Sequence, residues 1–208
     1  MTSAADHPGA ATDVEDGANP YAWREAESVE LVDERGAAVG STSVDLAHRA
    51  PGLLHRAFSV LLFDGSGRLL LQRRAARKTR FALCLANTCC GHPGPLEPVT
   101  VAAARRLGEE LGLHAVDLTE IGVYRYRAAD PASNRVENEF DHVLVGLLPA
   151  GRQPVADPAE VAELHWVDPE QLGRDLAAPG QERYAPWLHG VIATWRSGRD
   201  GGVCPRPA

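Results

Sequence analysis

The chain has 208 residues, 44% of them hydrophobic and 24% charged, the proportions of a globular protein with enough length for one real core. A formal net charge of −7 argues against a broad nucleic-acid surface and leaves any anionic ligand to a local cluster of cations. No apolar run approaches the roughly 18–20 residues that cross a bilayer, and the N-terminus lacks a charged-then-apolar signal pattern, so no membrane partner is expected and the cytoplasm is the expected location. The four cysteines, Cys84, Cys89, Cys90 and Cys204, include an adjacent pair and make a poor disulfide framework. Free thiols are expected, one of them a candidate for chemistry.

Residues 1–23, rich in Ala, Gly, Asp, Pro and Ser, have no apolar period and read as a disordered leader. A first strand is expected from Ser28 to Asp33. Two apolar runs, Ala57 to Phe63 and Arg68 to Gln72, flank Asp64-Gly65-Ser66-Gly67 and predict a hairpin. From Glu97 to Leu111 the pattern turns helical, with Val101, Ala104, Leu107 and Leu111 on one face and Gly112 as the stop. Strands are expected at 119–127, 140–148 and 161–167, and helices at 168–177 and 185–196. The stretch 197–208 reads as a flexible tail. Interleaved strands and helices without an internal repeat predict one domain over 24–196, of α/β or α+β class with a mixed sheet.

The most specific run is Asn87 to Glu97, NTCCGHPGPLE, continued by Arg105 to Leu113, RRLGEELGL. It resembles the Nudix box, G-x5-E-x7-R-E-U-x-E-E-x-G-U with U bulky and apolar. Gly91, Glu97, Arg105, Leu107, Glu109, Glu110, Gly112 and Leu113 fall in register, and the one departure is Arg106 where the box has Glu. On a helix such carboxylates share a face and can converge on Mg²⁺ beside a diphosphate; without the register they would read as a solvated face. Arg106 weakens the case for diphosphate hydrolysis. Together with Cys90-Gly91-His92-Pro93, His48-x6-His55 and Val136-Glu137-Asn138-Glu139 after Tyr126-Arg127-x-x-Asp130-Pro131, it makes the chain similar to the Nudix-type isopentenyl diphosphate isomerases over about residues 28–190.

The resemblance implies a Nudix fold, with a mixed sheet between helices, and a metal-dependent shift of a carbon–carbon double bond. Isopentenyl diphosphate would become dimethylallyl diphosphate by proton addition and removal through a tertiary carbocation. It assigns His48, His55, His92, Glu137 and Glu139 to a first metal site, expected to hold Mg²⁺ with Mn²⁺ or Zn²⁺ as alternatives. Glu110 would hold a second Mg²⁺ that arrives with the substrate diphosphate. Cys90 would exchange a proton on one face and Glu139, hydrogen-bonded by Tyr126, on the other. Trp187 would face the cation, stabilising it by about 1–2 kcal/mol when desolvated, and Arg74, Lys78 and Arg106 would bind the diphosphate, thickened by Arg73, Arg77, Arg80 and Arg105. A small prenyl diphosphate is the implied partner of a monomer or weak homodimer, with no nucleic acid.

Departures from the family cluster around substrate. Val44 stands where the family has a phosphate-binding Lys, and Leu85 where it has a second Trp. These changes predict a reshaped pocket, and with it a specialised isomerase or cyclase acting on a modified or longer prenyl diphosphate as the alternative. A Nudix diphosphohydrolase and a Nudix-fold sensor of phosphorylated metabolites are the other readings; neither needs a thiol and an acid facing each other.

Overall fold

In the computed structural model, which describes residues 22–201 apart from the side chains of Ala22 and Asp200, the chain begins with α1 (Ala22–Ala26), β1 (Ser28–Val32), β2 (Ala38–Ser43), α2 (Val44–Ala47), β3 (His55–Phe63), β4 (Leu69–Arg74), β5 (Leu85–Ala86) and β6 (Cys89–Gly91). It continues through α3 (Val99–Leu111), β7 (Leu118–Ala129), β8 (Val136–Leu147), β9 (Val161–Val167), α4 (Pro169–Ala177) and α5 (Leu188–Asp200). The strands form one mixed sheet. All of β3 pairs in parallel with β8, from His55 opposite Glu139 to Phe63 opposite Leu147. Its other edge is shared: Leu31 of β1 lies opposite His55, Cys89–Gly91 of β6 opposite 58–60, and Leu69 of β4 opposite Phe63.

Alternation along β3 divides the core into two layers. Phe58, Val60 and Leu62 point to one face, where Val99, Ala102, Ala103, Leu107 and Leu111 of α3 cover them. Leu61 and Phe63 point to the other, beneath Leu188, Val191, Ile192 and Trp195 of α5. Each fully buried Leu or Ile here contributes about 1.5–3 kcal/mol of transfer free energy. The expected α/β architecture is therefore present, a mixed sheet between helices.

The hairpin turn forms because the Asp64 carboxylate accepts from the backbone N–H groups of Ser66 and Arg68 and Gly67 takes φ +81°. α3 ends at Gly112, which sits at φ +63° and donates its N–H to the Gly108 carbonyl. The apolar face of α3 is not the expected one: Val101 points outward, 55% exposed, and Val99, Ala102 and Ala103 turn inward. Small alanines let the helix approach the sheet more closely than Val101 would. β8 starts at Val136, four residues before the expected strand, which places Glu137 and Glu139 within the ladder.

The expected leader lies outside the described residues except at 22–23, and the tail except at 197–201. α5 runs into the latter stretch because Arg196 and Arg199 both bind Glu170 of α4. Among the described residues no helix is long and apolar enough to cross a membrane. α5 packs on β7 through Gly190: a Cβ there would stand 2.0 Å from Cζ of Tyr124. Gly190→Ala is expected to destabilise the fold by about 1–3 kcal/mol or more, read as a lowered midpoint in thermal or urea unfolding; an unchanged midpoint would show that this contact does not set the packing of α5.

Candidate active site

The site lies where the α5-side layer runs out, at the start of β3. His55 heads β3, with Glu139 as its partner on β8. Glu137, Glu139 and Asp141 share one face of β8 by alternation. His48 follows the single turn of α2, whose N-cap Ser43 accepts from Leu46 N–H, and His92 follows β6. The three imidazole centroids lie 4.6, 4.9 and 5.0 Å apart. One donor atom from each of His48, His55, His92, Glu137 and Glu139 falls within 4.8 Å of all the others.

This donor set fits a divalent cation. Nδ1 of His48 lies 2.7 Å from the Val44 carbonyl and Nδ1 of His55 2.8 Å from the Leu53 carbonyl. A carbonyl only accepts, so each Nδ1 carries the proton and each Nε2 presents a lone pair to the centre. Nε2 of both rings and Oε2 of Glu137 are buried without a hydrogen-bond partner, a costly condition that a bound cation relieves. Burial pushes the His92 imidazole down to about 4, leaving it neutral, the form in which an imidazole can take a cation. Burial and Glu137 push Glu139 upward, but the adjacent His55 and His92 imidazoles prevail and hold it below the usual carboxylate range.

Cys90 and Glu139 lie on strands that flank β3 from opposite edges. Cys90 is opposite Ser59 and Glu139 opposite His55, so both side chains leave the same face of the sheet, across two strand spacings of about 4.8 Å each. The row His55, Ala57, Ser59 runs between them. Tyr126, the partner of Glu139 across β7 and β8, donates its hydroxyl to Oε2 of Glu139 at 2.6 Å. Burial outweighs the nearby Arg74 cation and pushes the Cys90 thiol up to about 12, so it stays protonated. Trp187 closes the space between Phe81, edge-on at 5.3 Å, and Tyr126 at 5.9 Å. Its indole N–H donates to Oδ1 of buried Asn87 at 2.9 Å.

Arg74, Lys78 and Arg106 line the same cavity as Cys90, His92, Tyr126, Glu139 and Trp187. The Arg74 guanidinium donates to the carbonyls of Arg80 and Phe81 and to Sγ of Cys90 at 3.6 Å, and lies 5.6 Å from the Trp187 ring. Lys78 binds Glu160 at 2.5 Å. Arg106 reaches the cavity from α3 past Gly91, whose missing Cβ would touch Phe58 and the Arg106 stem. Glu110 is not among the lining residues: it pairs with Arg106 and accepts from Gln72 at 3.1 Å.

Three residues here escape sequence reading, and a fourth, Arg80, expected to thicken the diphosphate cluster, instead meets Glu137. Glu160, 1% exposed, gathers Arg24, Lys78 and Arg106, but one Glu before a strand carries no spacing signal. Asn87 stands beside the cysteine motif without a mark of its contact to Trp187, one hundred residues away. Arg80 is one cation in a run of five. Asp141 is the exception: it extends the Glu-x-Glu alternation by one step, and that signal was there to find. It is fully buried, accepts from Ser59 at 2.8 Å and is held well above the usual carboxylate range by burial and Glu139.

Residues 53–188 match the family model described as NUDIX domain. The DR0079 protein of Deinococcus radiodurans shares the fold, with a TM-score of 0.64 at 23% identity over 80% of this chain and 98% of that one. Within that superfamily the relatives are specific. An isopentenyl-diphosphate Delta-isomerase of Nocardia farcinica is 62% identical over 79% of this chain and 91% of its own length. One of Streptomyces griseus is 49% identical over 81% and 83%. The chain belongs to the isopentenyl-diphosphate Delta-isomerase family.

The altered wall does not open the pocket as expected. Leu85 bridges to Tyr184, packs with the α5-side core and does not line the cavity, which measures about 90 Å³. The change at Leu85 therefore adds no room for a longer prenyl chain, and the relatives do not favour the specialised reading. Val44 does line the cavity, as does Arg24 of α1.

At pH 8 a thiol titrating near 12 is thiolate in only about one molecule in ten thousand. Alkylation of Cys90 by iodoacetamide, followed by mass spectrometry, is therefore expected to run roughly a thousandfold slower than for free cysteine and to rise with pH up to that value. A rate at pH 8 like that of free cysteine would mean that the Arg74 cation prevails over burial.

Proposed function

We propose that the chain isomerises isopentenyl diphosphate to dimethylallyl diphosphate with Cys90 and Glu139 as the two proton-handling groups. The observation that carries this is their placement on either side of β3, facing the same space. An unactivated alkene must gain a proton at one carbon and lose one from another, so donor and acceptor have to stand apart with the hydrocarbon between them. Cys90 stays protonated and holds a proton at Sγ. Glu139, kept ionised by His55 and His92, has Oε2 in contact with the Tyr126 hydroxyl, which fixes its orientation and gives a proton carrier between carboxylate and cavity. The indole face of Trp187 and the rings beside it shield the intermediate from water.

Arg74, Lys78 and Arg106 are assigned the diphosphate, where the planar guanidinium forks bind phosphate oxygens in pairs. Glu110 is assigned the Mg²⁺ that accompanies it. Glu110 now pairs with Arg106, so holding that ion would loosen this pair and leave Arg106 shared between Glu109, Glu160 and the phosphate. His48, His55, His92, Glu137 and Glu139 would hold the resident ion, with Mg²⁺ proposed over Mn²⁺ and Zn²⁺. When bound, it supplies a positive centre that lowers the proton affinity of Glu139.

Incubating purified, metal-loaded protein with isopentenyl diphosphate in D₂O tests the reading. Dimethylallyl diphosphate carrying deuterium is expected with no phosphate released, and Cys90→Ala should lower turnover at least about a hundredfold. Phosphate release that survives the substitution would instead identify a hydrolase. Dialysis against EDTA is expected to abolish turnover and lower the melting temperature, and Mg²⁺, Mn²⁺ and Zn²⁺ added back singly should rank by recovery of both. Full activity after exhaustive chelation would remove the metal from the scheme.

A further inference from the structure

Among the groups that meet the metal-site carboxylates, one is not a ligand and carries a permanent charge. Arg80 sits at the end of the basic run, and its side chain is only 11% exposed. Its Nε donates to Oε1 of Glu137 at 3.1 Å. Its Nη1 donates to both carboxylate oxygens of Glu25, at 2.9 and 3.2 Å, and to the Thr79 hydroxyl, which itself donates to Glu25 at 2.8 Å. Glu25 belongs to α1, and Arg24, Glu25 and Glu27 all line the cavity. One guanidinium thus joins a metal-site carboxylate to the segment that walls the cavity.

The two oxygens of Glu137 are treated differently. Oε1 is taken by Arg80. Oε2 is buried without a hydrogen-bond partner and lies 2.7 Å from Nε2 of His48, itself one of the orphaned donors of the cluster. A carboxylate free to rotate would offer either oxygen, or both, to a cation. With Oε1 held from outside the cluster, Oε2 is the oxygen turned toward the centre.

We propose that Arg80 is a positioning residue that restricts Glu137 to ligation through Oε2 alone and ties the metal site to closure of α1 through Glu25. The proposal rests on the metal-site reading above. It follows the general behaviour of groups just outside a metal's ligand shell, whose removal costs about 10- to 100-fold in affinity because the ligand they orient becomes mobile. The fork geometry matters: a lysine ammonium at the same place is a point charge that cannot hold two carboxylates with a fixed angle between them. The two halves are separable, since Glu25 touches Arg80 and Thr79 while Glu137 touches Arg80 and His48.

The test uses the full chain with Mn²⁺ as the probe, bound ion being counted by electron paramagnetic resonance. Amide hydrogen exchange over residues 22–27 is followed with and without the ion. The unchanged protein is expected to bind Mn²⁺ and to protect 22–27 more strongly when it is bound. Arg80→Gln should weaken Mn²⁺ binding by about 10- to 100-fold and remove the metal-dependent change in exchange, with Arg80→Lys recovering affinity in part. Glu25→Gln should keep affinity within a few-fold while still losing that change, which tests the link to α1 even if Arg80→Gln does not fold. Equal affinity in Arg80→Gln and the unchanged protein would overturn the positioning role, and metal-dependent protection persisting in Glu25→Gln would overturn the link. Failure of the unchanged protein to bind Mn²⁺, or binding that survives His48→Ala with His55→Ala, would overturn the metal-site reading and this inference with it.

Discussion

The register between β3 and β8 is the constraint on which the rest of the site depends. Side chains alternate along both strands, so a slip of one residue would turn Glu137, Glu139 and Asp141 from the cavity side to the α3 side and drive apolar neighbours the other way. The pairing is held by what lies further along it. Leu61 and Phe63 on β3 and Val143 and Val145 on β8 belong to the layer beneath α5, while Phe58, Val60 and Leu144 belong to the layer beneath α3. Both layers resist the same slip. The apolar half of these strands therefore fixes the geometry of the polar half, and His55 meets Glu139 because Phe63 meets Leu147.

That arrangement concentrates charge where the fold gains least from it. Three carboxylates on one face of β8, each less than a tenth exposed, repel one another in a low-dielectric setting. The protein meets this in a different way at each. Glu137 is bracketed by His48 and Arg80. Glu139 is surrounded by His55, His92 and Tyr126. Among the described residues Asp141 has only the Ser59 hydroxyl, and burial with Glu139 beside it holds its carboxyl well above the usual range. Such local conflict is expected where chemistry is done, because a site arranged for a cation and a carbocation is unfavourable without them.

Much of the architecture was legible because it follows from local pattern. The hairpin rests on Asp64 and Gly67, α3 stops at Gly112, and β9 spans the expected residues, each set by chemistry within a few positions. The cluster was expected through motif resemblance, and the structure brings His48, His55, His92, Glu137 and Glu139 together. What escaped depends on contacts distant in sequence. Leu85 was expected at a pocket wall, but its neighbour is Tyr184, about a hundred positions on, and its side chain joins the core. Val101 was expected inside, yet the alanines on either side of the true face allow a closer approach. α1, five residues long, is too short to show an apolar period, and its Arg24 and Glu25 bind groups on other elements.

The protonated state of the half-buried Cys90 has a consequence for durability. Peroxide and related oxidants attack thiolates and scarcely touch thiols, so oxidation to sulfenic acid and beyond proceeds in proportion to the ionised fraction. Enzymes that use cysteine as a nucleophile need that fraction and are exposed to damage by it. A cysteine that only lends and recovers a proton has no such need. The surroundings that keep Sγ protonated also keep it reduced, so under the proposed reading the site would use a sulfur atom without becoming a redox sensor.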